Sequence, residues 1–168
     1  MNAFVTGHRP NRLGSHDPEN PIRVGLRRWL SKQLRKYDVK RLYVGMALGF
    51  DQDSAEVCIA ERIPFIACLP CLDQDRLWPD SSRDYYDFLL GKAADIHVVS
   101  AIRYETWAVT RTGPDPMKLR NHYMVDHSER GFAAWSGAQG GTCACLIYAH
   151  QKEVPVSIIH PNSVLLKP

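Results

Sequence analysis

Six short apolar runs constrain this chain more than any other feature: Asn2 to Thr6, Arg41 to Val44, Pro64 to Leu69, Ile96 to Val99, Gly131 to Trp135 and Val154 to Ile159. Continuous apolar runs of this length suit strands buried on both faces. The segments between them carry apolar residues at helical spacing and are long enough for right-handed parallel crossovers. The pattern predicts an α/β fold, a doubly wound and mostly parallel sheet flanked by helices. A chain of 168 residues supports one well-buried core, so one domain spanning residues 1–168 is expected.

The helices are punctuated by caps. Asn20-Pro21 pairs a side-chain cap with proline at the first helical position, and Ile22, Leu26, Trp29, Leu30, Leu34 and Tyr37 then recur at helical spacing. The opposite face holds Arg23, Arg27, Arg28, Lys32, Arg35 and Lys36. It is either a solvated face or a track for a nucleic-acid backbone. Asp51 is expected to cap the next helix, which contains Ala55, Cys58, Ile59 and Arg62, with Asp53 placed by the helix dipole. Ser81 or Ser82 opens a third, with Tyr85, Tyr86, Leu89 and Leu90. Ser100 to Asp115 is the longest irregular stretch, where Tyr104 and Trp107 either stack on a base or pack under their own loop. Asp115-Pro116 repeats the cap and launches Met117 to Glu129, and a last helix is expected from Cys143 to Gln151.

Composition narrows the setting. A formal charge of +3 permits a phosphate-bearing ligand but is far from the dense basicity of a dedicated duplex binder. The start lacks a basic segment followed by a long apolar core, and no run reaches the length of a membrane span, so a cytoplasmic protein with no membrane partner is expected. Five cysteines, an odd number, read as reduced thiols. Cys68 and Cys71 follow one strand and Cys143 and Cys145 another, at separated positions in the sheet. A shared zinc needs thiolates within about 2.3 Å of the metal, so no metal is expected.

Three loops fall at the carboxyl edge of the predicted sheet, where ligands bind in such folds. The first contains Thr6, Gly7, His8 and Arg9: two hydrogen-bonding side chains, a close-approach glycine and a planar cation suited to phosphate. The second runs Gly45-Met46-Ala47-Leu48-Gly49-Phe50-Asp51, with Glu56 just beyond. Asp51 and Glu56 are candidates for contacting a ribose or for acid/base work. The last is Ser136-Gly137-Ala138-Gln139-Gly140-Gly141-Thr142, a strand-to-helix bend whose N–H groups suit an anion. Arg120 and Asn121, on the helix before it, flank the same crevice.

Taken in order, Thr6 to Pro10, Gly45 to Asp51 with Ala55-Glu56, and Met117 to Asp126 continuing to Gly140-Gly141-Thr142 resemble the SLOG superfamily of Rossmann-like proteins, most closely its YpsA-like group. DprA and the LOG-type "lysine decarboxylase" family are more distantly similar. The resemblance implies a Rossmann-like domain, a homodimer, and a nucleotide or nucleotide-derived ligand held by Thr6, Gly7, His8, Arg9, Gly45, Ala47, Gly49, Asp51, Arg120, Asn121, Gly137, Gly140, Gly141 and Thr142. No further cofactor is required. In LOG-type relatives the arginine of an M-x-x-R helix and a glutamate three residues after the motif threonine cleave an N-glycosidic bond. Arg120 matches the arginine, while Cys145 occupies the glutamate position. Three functions follow as expectations: binding or sensing of the ligand; an N-glycosidase, phosphoribohydrolase or deoxyribosyltransferase using Arg120 with Asp51 or Glu56; and DprA-like binding of single-stranded DNA.

Overall fold

The structure, a computed structural model, describes residues 1–166. Its elements alternate as β1 (Asn2–Gly7), α1 (Pro21–Lys36), β2 (Arg41–Val44), α2 (Phe50–Glu61), β3 (Phe65–Leu69), α3 (Asp80–Leu90), β4 (Asp95–Val98), α4 (Tyr104–Thr110), α5 (Pro116–Asp126), β5 (Arg130–Ala134), α6 (Gly141–Gln151) and β6 (Val156–Ile159). All five strand pairings are parallel, in the order β4-β3-β2-β1-β5-β6. The expected single Rossmann-like α/β domain is borne out. Chain order steps outward from β1 to β4 and then returns to β5 on the other side of β1. The topological switch therefore lies between β1 and β5, where Thr6 is level with Ala133 and Gly7 with Ala134.

Period-two alternation in the strands builds a core on each face. Val5, Leu42, Val44, Phe65, Ala67 and Phe132 pack beneath α1, α2 and α3 with Leu26, Leu30, Leu34, Phe50 and Leu89. Phe4, Tyr43, Ile66 and Cys68 face Met124 and Val125 of α5 and Cys145 and Ala149 of α6. Asn20 caps α1 as expected, its Oδ1 accepting from the N–H groups of Ile22 and Arg23 at 3.1 and 3.2 Å. A 3₁₀ turn at Pro161–Leu165 then sets Val164 against Gly25, where an added Cβ would lie 2.6 Å from the valine Cβ.

Several expectations are corrected. Ser100 to Asp115 is not irregular throughout, because it contains α4. The carboxylate of Asp73 accepts from the N–H groups of Tyr104 and Glu105 at 2.6 and 3.1 Å, a cap supplied from another loop that local sequence does not reveal. Within it Trp107 is buried, its Nε1–H donating to Gly113 O at 3.3 Å and Arg111 lying 4.4 Å over its ring. That aromatic therefore packs under its own loop. Asp51 does not cap α2; Gly49 does, at φ 96°, leaving Asp51 buried inside the first turn. The third helix opens at Asp80 after Pro79, ahead of Ser81, and α5 stops at Asp126 instead of Glu129. α6 begins two residues earlier than expected, so the glycine loop runs directly into its first turn.

Three of the six basic residues of α1, Arg23, Arg27 and Arg35, are paired with acids, while Arg28, Lys32 and Lys36 have no acidic partner among the described residues. Arg23 is buried and makes a two-pronged pair with Asp53, at 2.9 and 2.6 Å, while its Nη1 donates to His16 O at 2.7 Å. Arg27 pairs with Glu19 and approaches Asp53 and Glu56, and Arg35 pairs with Glu61. Asp53 is thus an ion-pair partner and not merely a dipole-favoured residue. Sheet order separates β3 from β5 by two strands, and among the described residues no group of three His, Cys, Asp or Glu side chains is placed to hold a metal ion.

Candidate functional site

A crevice of about 340 Å³ opens at the switch point between β1 and β5. Of the residues singled out in the sequence, Thr6, Gly7, His8, Arg9, Ala47, Asp51, Arg120, Asn121, Gly140, Gly141 and Thr142 line it. Gly45 and Gly49 are buried behind the wall, whereas Gly137 is exposed in the glycine loop and does not line the crevice. Glu56 is elsewhere: it accepts from the Tyr85 hydroxyl and lies 3.7 Å from Arg27 on the outer side of α2. Ala138 and Gln139 of the glycine loop also line the crevice, as do Asn11, Arg12, Met117 and Met124, which were not foreseen as site residues. Met117, Arg120, Asn121 and Met124 fall at i, i+3, i+4 and i+7, a single stripe of α5 that helical spacing reveals once Arg120 is placed.

His8 ties the three loops together. Its backbone N–H donates to Ala134 O at 3.2 Å, and its carbonyl accepts from Phe50 N–H at 3.2 Å, joining β1 to the end of β5 and to the start of α2. The ring Nε2 lies 2.9 Å from the backbone N of Ser136 and 2.8 Å from Ser136 Oγ. A backbone N–H can only donate, so Nε2 is the acceptor and the neutral ring carries its proton on Nδ1. Burial, with help from Arg12 and His160, holds this imidazole below its ordinary pKa and keeps the lone pair available. Gly49 makes the junction sterically feasible, since an added Cβ there would come 2.6 Å from His8 O.

At the floor, Arg120 is buried with its fork pre-aimed. Nε donates to Asn121 Oδ1 at 2.9 Å, and Nη1 donates to Gly45 O. Asn121 in turn donates through Nδ2 to Gly141 O at 3.3 Å, linking α5 to the start of α6. An added Cβ at Gly45 would sit 2.1 Å from Arg120 Nη1, so a larger residue there would displace the arginine fork. Asp51 Oδ2 accepts from Ala47 N–H at 3.2 Å and stands 3.9 Å from Arg120 Nη1. Burial pushes the Asp51 carboxyl above the ordinary carboxylate range, an effect that Arg120 and the Ala47 N–H oppose.

The third wall is the glycine loop. Trp135 Nε1–H donates to Ala138 O at 2.8 Å and folds the loop back on itself. Gly140, at φ 140°, then turns the chain into α6 with no side-chain cap, so the first-turn N–H groups of the helix are left for another acceptor. Among the described residues, the guanidinium groups of Arg9 and Arg12 have no hydrogen-bond or ion-pair partner, and both are exposed at the rim. Asp51 is the one carboxylate in a lining that holds Arg9, Arg12 and Arg120. The arrangement offers cations and N–H donors to an anion and a single acidic acceptor to a donor. Cys145, fully buried behind this wall with its thiol pushed up to about 12 by burial, supplies neither a carboxylate nor a thiolate.

Comparison with known proteins identifies the family and the fold. A model of the YspA SLOG family matches residues 3–161. The chain belongs to that family. The superfamily and group read from the three loop motifs are therefore borne out. A UPF0398 protein of Bacillus thuringiensis (strain Al Hakam) is similar at 24% identity over 170 residues, covering 96% of this chain and 88% of the relative. Among solved structures, DNA processing protein A of Helicobacter pylori, described for its single-stranded DNA binding mode, superposes with a TM-score of 0.61 at 14% identity. That match covers 94% of this chain and 64% of the other. DNA processing protein A of Streptococcus pneumoniae gives 0.61 at 13% identity, over 94% of this chain and 49% of its own. At these identities the shared property is the fold.

Proposed function

We propose that the crevice binds a nucleotide or nucleotide-derived ligand, with its phosphate at the start of α6 and no chemistry required of the protein for binding. One observation carries the reading: uncapped N–H groups of α6, the unpaired Arg9 and Arg12, and the pre-aimed Arg120 all border one crevice at the switch point. Membership of the family adds support, because the match over residues 3–161 takes in all three walls. Melting temperatures of the purified protein across a panel of mononucleotides, dinucleotides and cyclic nucleotides test it. A ligand-dependent rise that is lost in Arg120→Ala and in Gly141→Asp is the expected result; no rise across the whole panel overturns it.

Hydrolysis of an N-glycosidic bond is a second reading, favoured by Asp51, which places one carboxylate beside Arg120 inside the crevice. The glutamate of LOG-type relatives has no equivalent at Cys145, so this reaction would rest on Asp51 alone. Glu56 lies outside the crevice, held by Tyr85 and Arg27. Chromatography of nucleotides after incubation with concentrated protein distinguishes the readings: free base released by the wild type and not by Asp51→Asn supports hydrolysis, and intact nucleotide leaves binding alone. Binding of single-stranded DNA finds less on α1 than its composition promised, because Arg23, Arg27 and Arg35 are paired with acids.

A further inference from the structure

We infer that His8 and Ser136 form a proton-operated latch: the neutral imidazole holds the glycine loop as a fixed wall of the crevice, and a proton on its Nε2 releases that wall. Residues 136–140 are held by very little. Before them the N–H of Trp135 donates to Ile159 O, and after them Gly140 O accepts from Ala144 N–H at the start of α6. Between these ends, Trp135 Nε1–H reaches Ala138 O from the adjoining residue. Among the described residues, the one hydrogen-bonding group that reaches the segment from another part of the fold is the His8 ring, at 2.9 Å from Ser136 N and 2.8 Å from Ser136 Oγ. Ala138, Gln139 and Gly140, which line the crevice, are therefore held by that contact.

A proton reverses the contact. Nε2 accepts from the Ser136 N–H only while its lone pair is free; once protonated it is a donor facing a donor. The Ser136 hydroxyl beside it can accept the new N–H, but only after the peptide N–H has turned away, so the backbone at Ser136 moves in either case. The loop has room to do so. Gly137 at φ 88° and Gly140 at φ 140° bracket it, and an added Cβ at either would meet nothing within 4 Å. The surroundings set the resting state. Arg9 and Arg12 follow the ring on its own loop, His160 approaches from beyond β6, and Asp51 of α2 and Arg120 of α5 share the crevice. Asp51, the one acid of the lining, accepts from Ala47 N–H and stands beside Arg120. With no carboxylate beside the ring to stabilise an imidazolium, and with burial opposing one, the latch rests shut at neutral pH and opens below pH 6.5, the ordinary histidine value.

Nuclear magnetic resonance of the isotope-labelled protein, titrated with acid, tests the latch. An N–H···N hydrogen bond transmits a scalar coupling between its two nitrogens, so the Ser136 amide and His8 Nε2 should be coupled at neutral pH. The coupling should vanish as the His8 ring takes up its proton. Exchange of the Ser136 amide with water, divided by the intrinsic rate at each pH, should then rise by roughly five-fold or more, the size of one lost hydrogen bond. Amides of β1 and β5 should stay protected over the same range, which separates release of the loop from acid unfolding. In His8→Gln, whose side-chain oxygen accepts at any pH, the normalised exchange at Ser136 should not change with pH. Absence of the coupling at neutral pH, its survival after the ring is protonated, or unfolding before the ring titrates overturns the inference. The wild-type titration decides even if His8→Gln does not fold. None of these readouts involves a nucleotide, so the latch and the nucleotide-binding reading stand or fall separately.

Discussion

The backbone N–H of Ser136 donates to Nε2 of His8 across 2.9 Å, so the loop after β5 is fastened to the loop after β1 by the lone pair of a buried imidazole. Protonation of that nitrogen removes the acceptor. The His8 pKa is lowered from 6.5, so the unfolded chain takes up this proton before the native state does. Stability from His8 is complete above pH 6.5 and is lost as pH falls from there through the lowered native value. Melting curves should therefore fall more steeply with acidification in the wild type than in His8→Gln, whose side-chain oxygen accepts at any pH. Parallel curves would count against the junction.

Asp51 predicts the opposite slope. Its carboxyl lies above the ordinary 3.8 in the native state, so the native state binds the proton first and stability rises as pH falls through the raised value toward 3.8. At neutral pH the buried charge is a net cost. Asp51→Asn should melt no lower than the wild type at pH 7, and higher if the burial effect dominates Arg120, while its nucleotide binding weakens. A variant that melts well below the wild type would show that Asp51 is structural.

Gly45→Ala tests the aim of Arg120. The added methyl would lie 2.1 Å from Arg120 Nη1 and 2.7 Å from Asp51 Oδ2. The arginine fork must swing away, and overpacking of this kind costs about 1–3 kcal/mol. Denaturant unfolding should register that loss, and the ligand-dependent rise in melting temperature should disappear. An unchanged rise would mean that Arg120 does not touch the ligand.

The buried pair of Arg23 and Asp53 joins α1 to α2, with side-chain exposures of 9% and 1%. Removing Asp53 leaves Arg23 as an uncompensated buried charge, worth about 3–5 kcal/mol, whereas removing Arg23 leaves Asp53 with Arg27 at 3.6 Å. Asp53→Leu should destabilise by that order in urea unfolding and Arg23→Met by less, and the double variant should be less destabilised than the sum. Additive losses would rule out the coupling.

The sheet was legible because the strands are short, mainly apolar runs between glycine, proline and cap residues, with only His97 and Ser157 inside the edge strands β4 and β6, and Asn20 and Asp115 announce their helices locally. The cap on α4 was not, since Asp73 reaches it from a different loop. Asp53 illustrates a second limit. An aspartate in a first helical turn fits the dipole without further explanation, and only the approach of α1 reveals Arg23. The walls of the crevice were legible as glycine loops, and Glu56 shared their sequence neighbourhood. Helical geometry alone separates Asp51 from Glu56, since five residues along α2 turn the side chain toward the outer face and Tyr85. Met117 and Met124 were overlooked because methionines on a helix read as core until the stripe shared with Arg120 and Asn121 is drawn.

Val164 fills the notch at Gly25, bringing nearly the last described turn onto the first helix. Such a contact is among the most non-local the chain can make, and its closure entropy is met only when both ends are present. During synthesis α1 emerges early with a glycine in mid-helix and no side chain to cover it, a position that weakens an isolated helix. Consolidation of that helix waits until the Pro161–Leu165 turn has been synthesised. Chains interrupted after β6 should thus carry a frayed first helix despite possessing every strand of the sheet.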